Sequence, residues 1–129
     1  MVCKLLDIWR KLKRLGAVLL LDTTWVLPNT SRTLEQFQWL AAEINELGGE
    51  AYFWLGQPAL GGQDEHLRCQ FLAQVDEVYA ALLAQLQQPE PDLEQISRQY
   101  QQSKSRDYFN SPLGEQVRAR LLALRGDNA

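Results

Sequence analysis

The sequence predicts an α+β fold, and three observations predict it. Apolar residues recur at helical spacing in five separate stretches, which gives five helices. Three short apolar runs, too brief for helices and rich in strand-forming residues, lie between the first two helices and just after the second. The resulting order is helix, strand, strand, helix, strand, then three helices. It is the ferredoxin-like β-α-β-β-α-β order with its first strand missing or truncated, followed by a helical tail. The expected organisation is an α/β portion over residues 1–57 and a helical portion over residues 58–129 packed on it, one domain overall.

The first helix is expected from about Lys4 to Leu15. Leu5, Ile8, Trp9, Leu12 and Leu15 form its apolar stripe, Lys4, Lys11 and Arg14 lie opposite, and Arg10 and Lys13 flank them. Gly16 stands where a glycine closes a helix. Ala17–Leu21 reads as a buried strand and Thr24–Leu27 as its partner, in a hairpin turned near Asp22–Thr23; a single bulged strand is the competing reading. Pro28 ends the strand, and Asn29, Thr30 and Ser31 offer capping oxygens for a second helix over about Arg32–Leu47, with Leu34, Phe37, Leu40, Ala41, Ile44 and Leu47 inward and Glu43 outward. Gly48–Gly49 stops that helix, Glu50–Gly56 reads as an aromatic third strand, and Pro58–Gly62 as a loop.

A long third helix is expected over about Asp64–Gln87, with Leu67, Phe71, Val75, Val78, Tyr79, Leu82, Leu83 and Leu86 inward. Pro89 and Pro91 mark a turn. Leu93, Ile96 and Tyr100 carry a fourth helix that ends near Tyr108, and Ser111–Pro112 caps a fifth running to Arg125. The missing opening strand would sit mid-sheet. Either the native start lies upstream, or the third strand moves in beside Thr24–Leu27, or a partner chain fills the gap.

Composition narrows the function class. No run approaches the roughly 18 apolar residues of a membrane span, and Trp9–Arg14 interrupts any signal-like block, so a cytoplasmic protein without membrane contact is expected. Two cysteines, Cys3 and Cys69, make no disulfide framework. The net charge of −3 conceals two basic ends around an acidic middle: +4 over residues 1–14, −10 over residues 15–97 and +3 over residues 98–129. Such asymmetry points to an anionic partner or to pairing between segments.

Two stretches, WRKLKRLGAVLLLDTTWVLP and LEQFQWLAAEINELGGEAYFWLG, resemble the N-terminal domain of the chromate-resistance regulator ChrB. DEVYAALLAQL and ISRQYQQSKSRDYFNSPLGEQVRARLLAL resemble the helical half of that domain, including a K-x-x-D-x-F-like element at Lys104, Asp107 and Phe109. The first half is also similar, more weakly, to the ferredoxin-like domain of PaaX-type repressors. The resemblance spans about residues 8–125 and implies a regulatory module of a chromate-responsive system, with chromate as effector. It departs at the absent opening strand, at Asp22–Thr23 where the family has Asp-Gly, and in lacking the regulator's C-terminal domain, which would then be a partner, as would a second copy.

Candidate chemistry is sparse. Lys4, Arg10, Lys11, Lys13 and Arg14 are the candidate nucleic-acid contacts, because phosphate binding needs clustered cations; no helix-turn-helix accompanies them. Lys104, Arg106 and Ser111, at the start of the fifth helix with room at Gly114, form a weaker oxyanion candidate, since free N–H groups there suit a dianion. His66 and Cys69 sit three residues apart, but two ligands make no metal centre, and no metal or cofactor is expected. A lone Asp22 reads as a turn residue rather than a nuclease carboxylate. Trp9, Trp25, Trp39 and Trp54 fall on four elements, which fits core and rim packing better than a stacking platform. No catalytic residue is assigned. A non-enzymatic regulatory or DNA- or partner-binding module is the leading expectation; a thiol-dependent chromate-handling enzyme, a ferredoxin-like nuclease and a structural dimerisation domain are the alternatives.

Overall fold

The computed structural model describes residues 2–20 and 24–127, with side chains described over 8–20 and 24–126. The elements are α1 (Val2–Leu15), β1 (Val18–Leu20), β2 (Thr24–Val26), α2 (Ser31–Glu46), α3 (Gln63–Leu86), α4 (Leu93–Lys104) and α5 (Pro112–Asp127). Two compact units emerge, Met1–Asp64 and Glu65–Ala129.

In the first unit α1 closes as the glycine predicts. Gly16 takes a φ of 81°, its N–H donates to the Lys13 carbonyl, and the Ala17 N–H reaches back to Leu12 at 3.1 Å. The same pair of bonds ends α2, where Gly48 has a φ of 88° and the Gly49 N–H donates to the Ile44 carbonyl. Antiparallel pairing of Val18 with Val26, Leu19 with Trp25 and Leu20 with Thr24 confirms the hairpin over the bulged strand; its turn, Asp22–Thr23, lies outside the described residues. Thr30 caps α2 by accepting from the Thr33 N–H at 3.1 Å. Thr33 Oγ1 returns the favour, accepting from the Thr30 N–H at 2.9 Å. Ala17, Val18, Thr33 and Leu40 are buried, whereas Leu19 and Leu20, expected inside a buried strand, are exposed.

The ferredoxin-like core is not formed. Among the described residues the only sheet is the two-stranded hairpin, and the chain is dominated by its five helices. The expected third strand, Glu50–Gly56, joins no sheet. Its physical difficulty is legible in AYFWL: five consecutive apolar residues suit a strand covered on both faces, and no second layer covers this one. Only Phe53 finds a ring partner, Phe37, at 6.4 Å; Tyr52, Trp54 and Leu55 are exposed.

In the second unit α3, α4 and α5 enclose one core. Val75, Tyr79, Leu82 and Leu86 of α3 meet Ile96 and Tyr100 of α4 and Val117 and Leu121 of α5. The inward set of α3 matches its sequence periodicity. The fourth helix ends at Lys104, not near Tyr108, because Asp107 and Asn110 are spent on the turn into α5: Asn110 adopts a left-handed φ of 55°.

Candidate functional site

Of the five cations expected on the first helix, the four with described side chains, Arg10, Lys11, Lys13 and Arg14, do not act as one face. Lys11 turns toward α2 and pairs with both carboxylate oxygens of Glu43 at 2.6 Å. Glu43, expected to face water, thus neutralises it. Lys13 Nζ lies 5.3 Å from the Trp9 ring and 5.9 Å from the Trp25 ring, within cation–π range of both. Arg10, Lys13 and Arg14 are exposed, and their spacing of three and four residues puts them side by side. The Lys4 side chain lies outside the described residues. Among the described side chains the outward cationic group is therefore Arg10, Lys13 and Arg14, with Trp9 about half exposed beside it, while Lys11 is turned to Glu43. Trp39 and Trp54 are also at the surface, so of the core and rim roles expected for the tryptophans these two do not take the core one.

The expected oxyanion site is occupied by the protein's own carboxylates. The Asp107 carboxylate accepts from the Ser111 N–H at 3.1 Å and from the Tyr79 hydroxyl at 3.0 Å. The Ser111 hydroxyl donates to Asp76 of α3 and accepts from the Leu113 N–H, capping α5. Lys104 instead reaches Asn110 Oδ1 at 3.5 Å, and the Arg106 Nε is buried without a hydrogen-bond partner among the described residues. Two acidic side chains on the Ser111 N–H and hydroxyl disfavour a dianion there, so Ser111 is a structural cap. Gly114 has no room to offer a ligand either: a Cβ on it would lie 2.8 Å from the Tyr79 ring.

Tyr79 is fully buried, and its phenol pKa is driven upward, first by burial and then by the neighbouring Asp107 charge and hydrogen bond. The K-x-x-D-x-F-like element thus has a packing role: Asp107 ties the α5 start to α3, and the Phe109 ring packs tilted against Phe71 at 5.9 Å with the Arg68 guanidinium over it at 5.8 Å. Reasoning from sequence missed Tyr79, Asp76 and Glu43 as polar partners. The one available signal was the tyrosine itself, whose hydroxyl needs a partner at an inward helical position.

Among the described residues no three His, Cys, Asp or Glu side chains converge as metal ligands. His66 contacts Gln70 at 3.3 Å, Cys69 is exposed, and Cys3 and Asp22 lie outside the described side chains. No helix among the described residues is long and apolar enough to cross a membrane.

Residues 6–88, well over half the chain, match the family described as Protein ChrB, N-terminal. The chain belongs to the ChrB N-terminal family. No curated protein and no solved structure matches it. Membership makes it a chromate-resistance-associated module. The ChrB N-terminal match runs from within α1 to just past α3, so both the cationic face and the Glu50–Gly56 segment fall inside it, whereas Lys104–Phe109, α4 and α5 lie beyond.

Proposed function

We propose that this chain is a non-enzymatic regulatory module of a chromate-responsive system that contacts DNA through α1. The observation that carries the reading is the exposed trio Arg10, Lys13 and Arg14, left outward while Lys11 is neutralised by Glu43. Adjacent cations on one helix face suit successive phosphates, and nothing in the trio specifies bases, so the contact is electrostatic positioning rather than sequence readout. Sequence selectivity then belongs to a partner, such as a ChrB C-terminal-type domain.

The test is duplex-DNA binding by fluorescence anisotropy across a salt series. Three phosphate contacts give a slope of log K against log salt of about −3, from roughly −0.9 per phosphate. Arg10→Gln with Arg14→Gln should flatten that slope to about −1. Repeating the titration with chromate and with sulfate examines chromate as effector: a shift with chromate alone is expected. Absence of binding at low salt, or a slope unchanged in the double variant, would overturn the DNA reading.

A further inference from the structure

The segment Glu50–Gly56 combines features of a strand with none of a strand's pairing. Its residues 51–55 are aromatic and aliphatic; exposure alternates over Tyr52 (79%), Phe53 (38%) and Trp54 (87%), and Leu55 is 64% exposed as well. Phe53 is turned to Phe37 while its two neighbours face outward. Among the described residues, none of residues 50–59 makes a backbone–backbone hydrogen bond. A row of open N–H and C=O groups bearing large exposed rings is a template for another strand. Two exposed aromatics of this size on one face, and the exposed Leu55 on the other, are the kind of large apolar side chains that fill the centre of a small dimer interface.

We propose that Glu50–Gly56 pairs antiparallel with the same segment of a second copy of this chain, Phe53 facing Phe53 across the two-fold axis. That register sets Tyr52 opposite Trp54 twice on the outer face, the aromatic cross-strand pairing that stabilises sheets. It also sets Ala51 opposite Leu55 and Glu50 opposite Gly56. Glu50 is the one charged residue between residues 50 and 62. Antiparallel self-pairing keeps the two Glu50 carboxylates at opposite ends, whereas a parallel pair would stack them. A self-complementary patch is what a two-fold dimer requires. Phe53 stays on Phe37 within each copy, so the pairing asks for no rearrangement of α2.

Sedimentation velocity on the full chain should show a concentration-dependent monomer–dimer equilibrium. Tyr52→Lys with Trp54→Lys, both at exposed positions, should leave a monomer of unchanged far-UV circular dichroism. Register is read by cross-linking in a Cys3→Ser, Cys69→Ser background with a short thiol-bridging reagent. Tyr52→Cys chains mixed with Trp54→Cys chains should cross-link well above either alone, because directly opposed residues lie about 4.5–5.5 Å apart and diagonal ones farther. A wild type that stays monomeric up to its solubility limit would overturn the proposal. So would a dimer that survives the lysine pair, or cross-links that favour like with like at 52 and 54.

Discussion

Replacing Asp107 with alanine takes the acceptor from both the Tyr79 hydroxyl and the Ser111 N–H, which it holds at 3.0 and 3.1 Å. Hydrogen bonds to a charged group are each worth about 1.5–3 kcal/mol, and the Tyr79 hydroxyl, with no exposed surface, is left without a replacement from water. The expected loss is about 3–5 kcal/mol, a large share of the ~5–15 kcal/mol that holds a typical domain. Tyr79→Phe removes one of the two bonds and leaves the carboxylate its Ser111 partner, so about 1.5–3 kcal/mol is expected. Because both changes delete the same Tyr79–Asp107 bond, the double variant should cost less than the sum by a similar amount, about 1.5–3 kcal/mol. The assay is urea unfolding followed by far-UV circular dichroism. All four tryptophans lie in residues 1–64, outside the unit that carries the substitution, so circular dichroism rather than indole fluorescence is the readout. A loss below about 1 kcal/mol for Asp107→Ala, or strict additivity in the cycle, would refute the claim that Asp107 ties α5 to α3.

The raised Tyr79 pKa carries a pH signature. Its folded form holds the phenolic proton more tightly than the unfolded chain, so the contribution is whole below about pH 10 and is lost as pH rises above it, by up to ~1.4 kcal/mol per pH unit; stability curves at pH 9–11 should be flatter for Tyr79→Phe. Gly114→Ala pushes a Cβ to 2.8 Å from the buried Tyr79 ring, and thermal unfolding should show a loss of about 1–3 kcal/mol despite alanine's better helix propensity. Thr33→Val removes the α2 capping partner of the Thr30 N–H and should cost about 1–2 kcal/mol in urea unfolding read by tryptophan fluorescence. Glu43→Gln frees the Lys11 ammonium at little stability cost, about 0.2–1 kcal/mol for a half-exposed pair, and should tighten DNA binding while steepening its salt slope by about 1.

Local order was written in the chain itself. The α3 residues Phe71, Val75, Tyr79, Leu82 and Leu86 show their buried face through spacing alone, since neighbours three and four apart share one side of any helix. Gly16 and Gly48 announced their helix ends because a left-handed residue there is a local demand, and the ChrB N-terminal family was legible in the α1–hairpin–α2 residues. Tertiary structure decided what those elements do to one another. Whether AYFWL becomes a strand depends on a hydrogen-bonding neighbour and a covering layer, neither of which its own residues encode, and the ferredoxin-like sheet failed at that point. Lys11 and Glu43 are 32 residues apart, and Tyr79 and Asp107 are 28 apart. Polar pairing over such separations leaves no periodic trace in the sequence. The cationic face was visible as a cluster of five on one helix, but only three-dimensional packing could assign Lys11 inward and leave Arg10, Lys13 and Arg14 facing out.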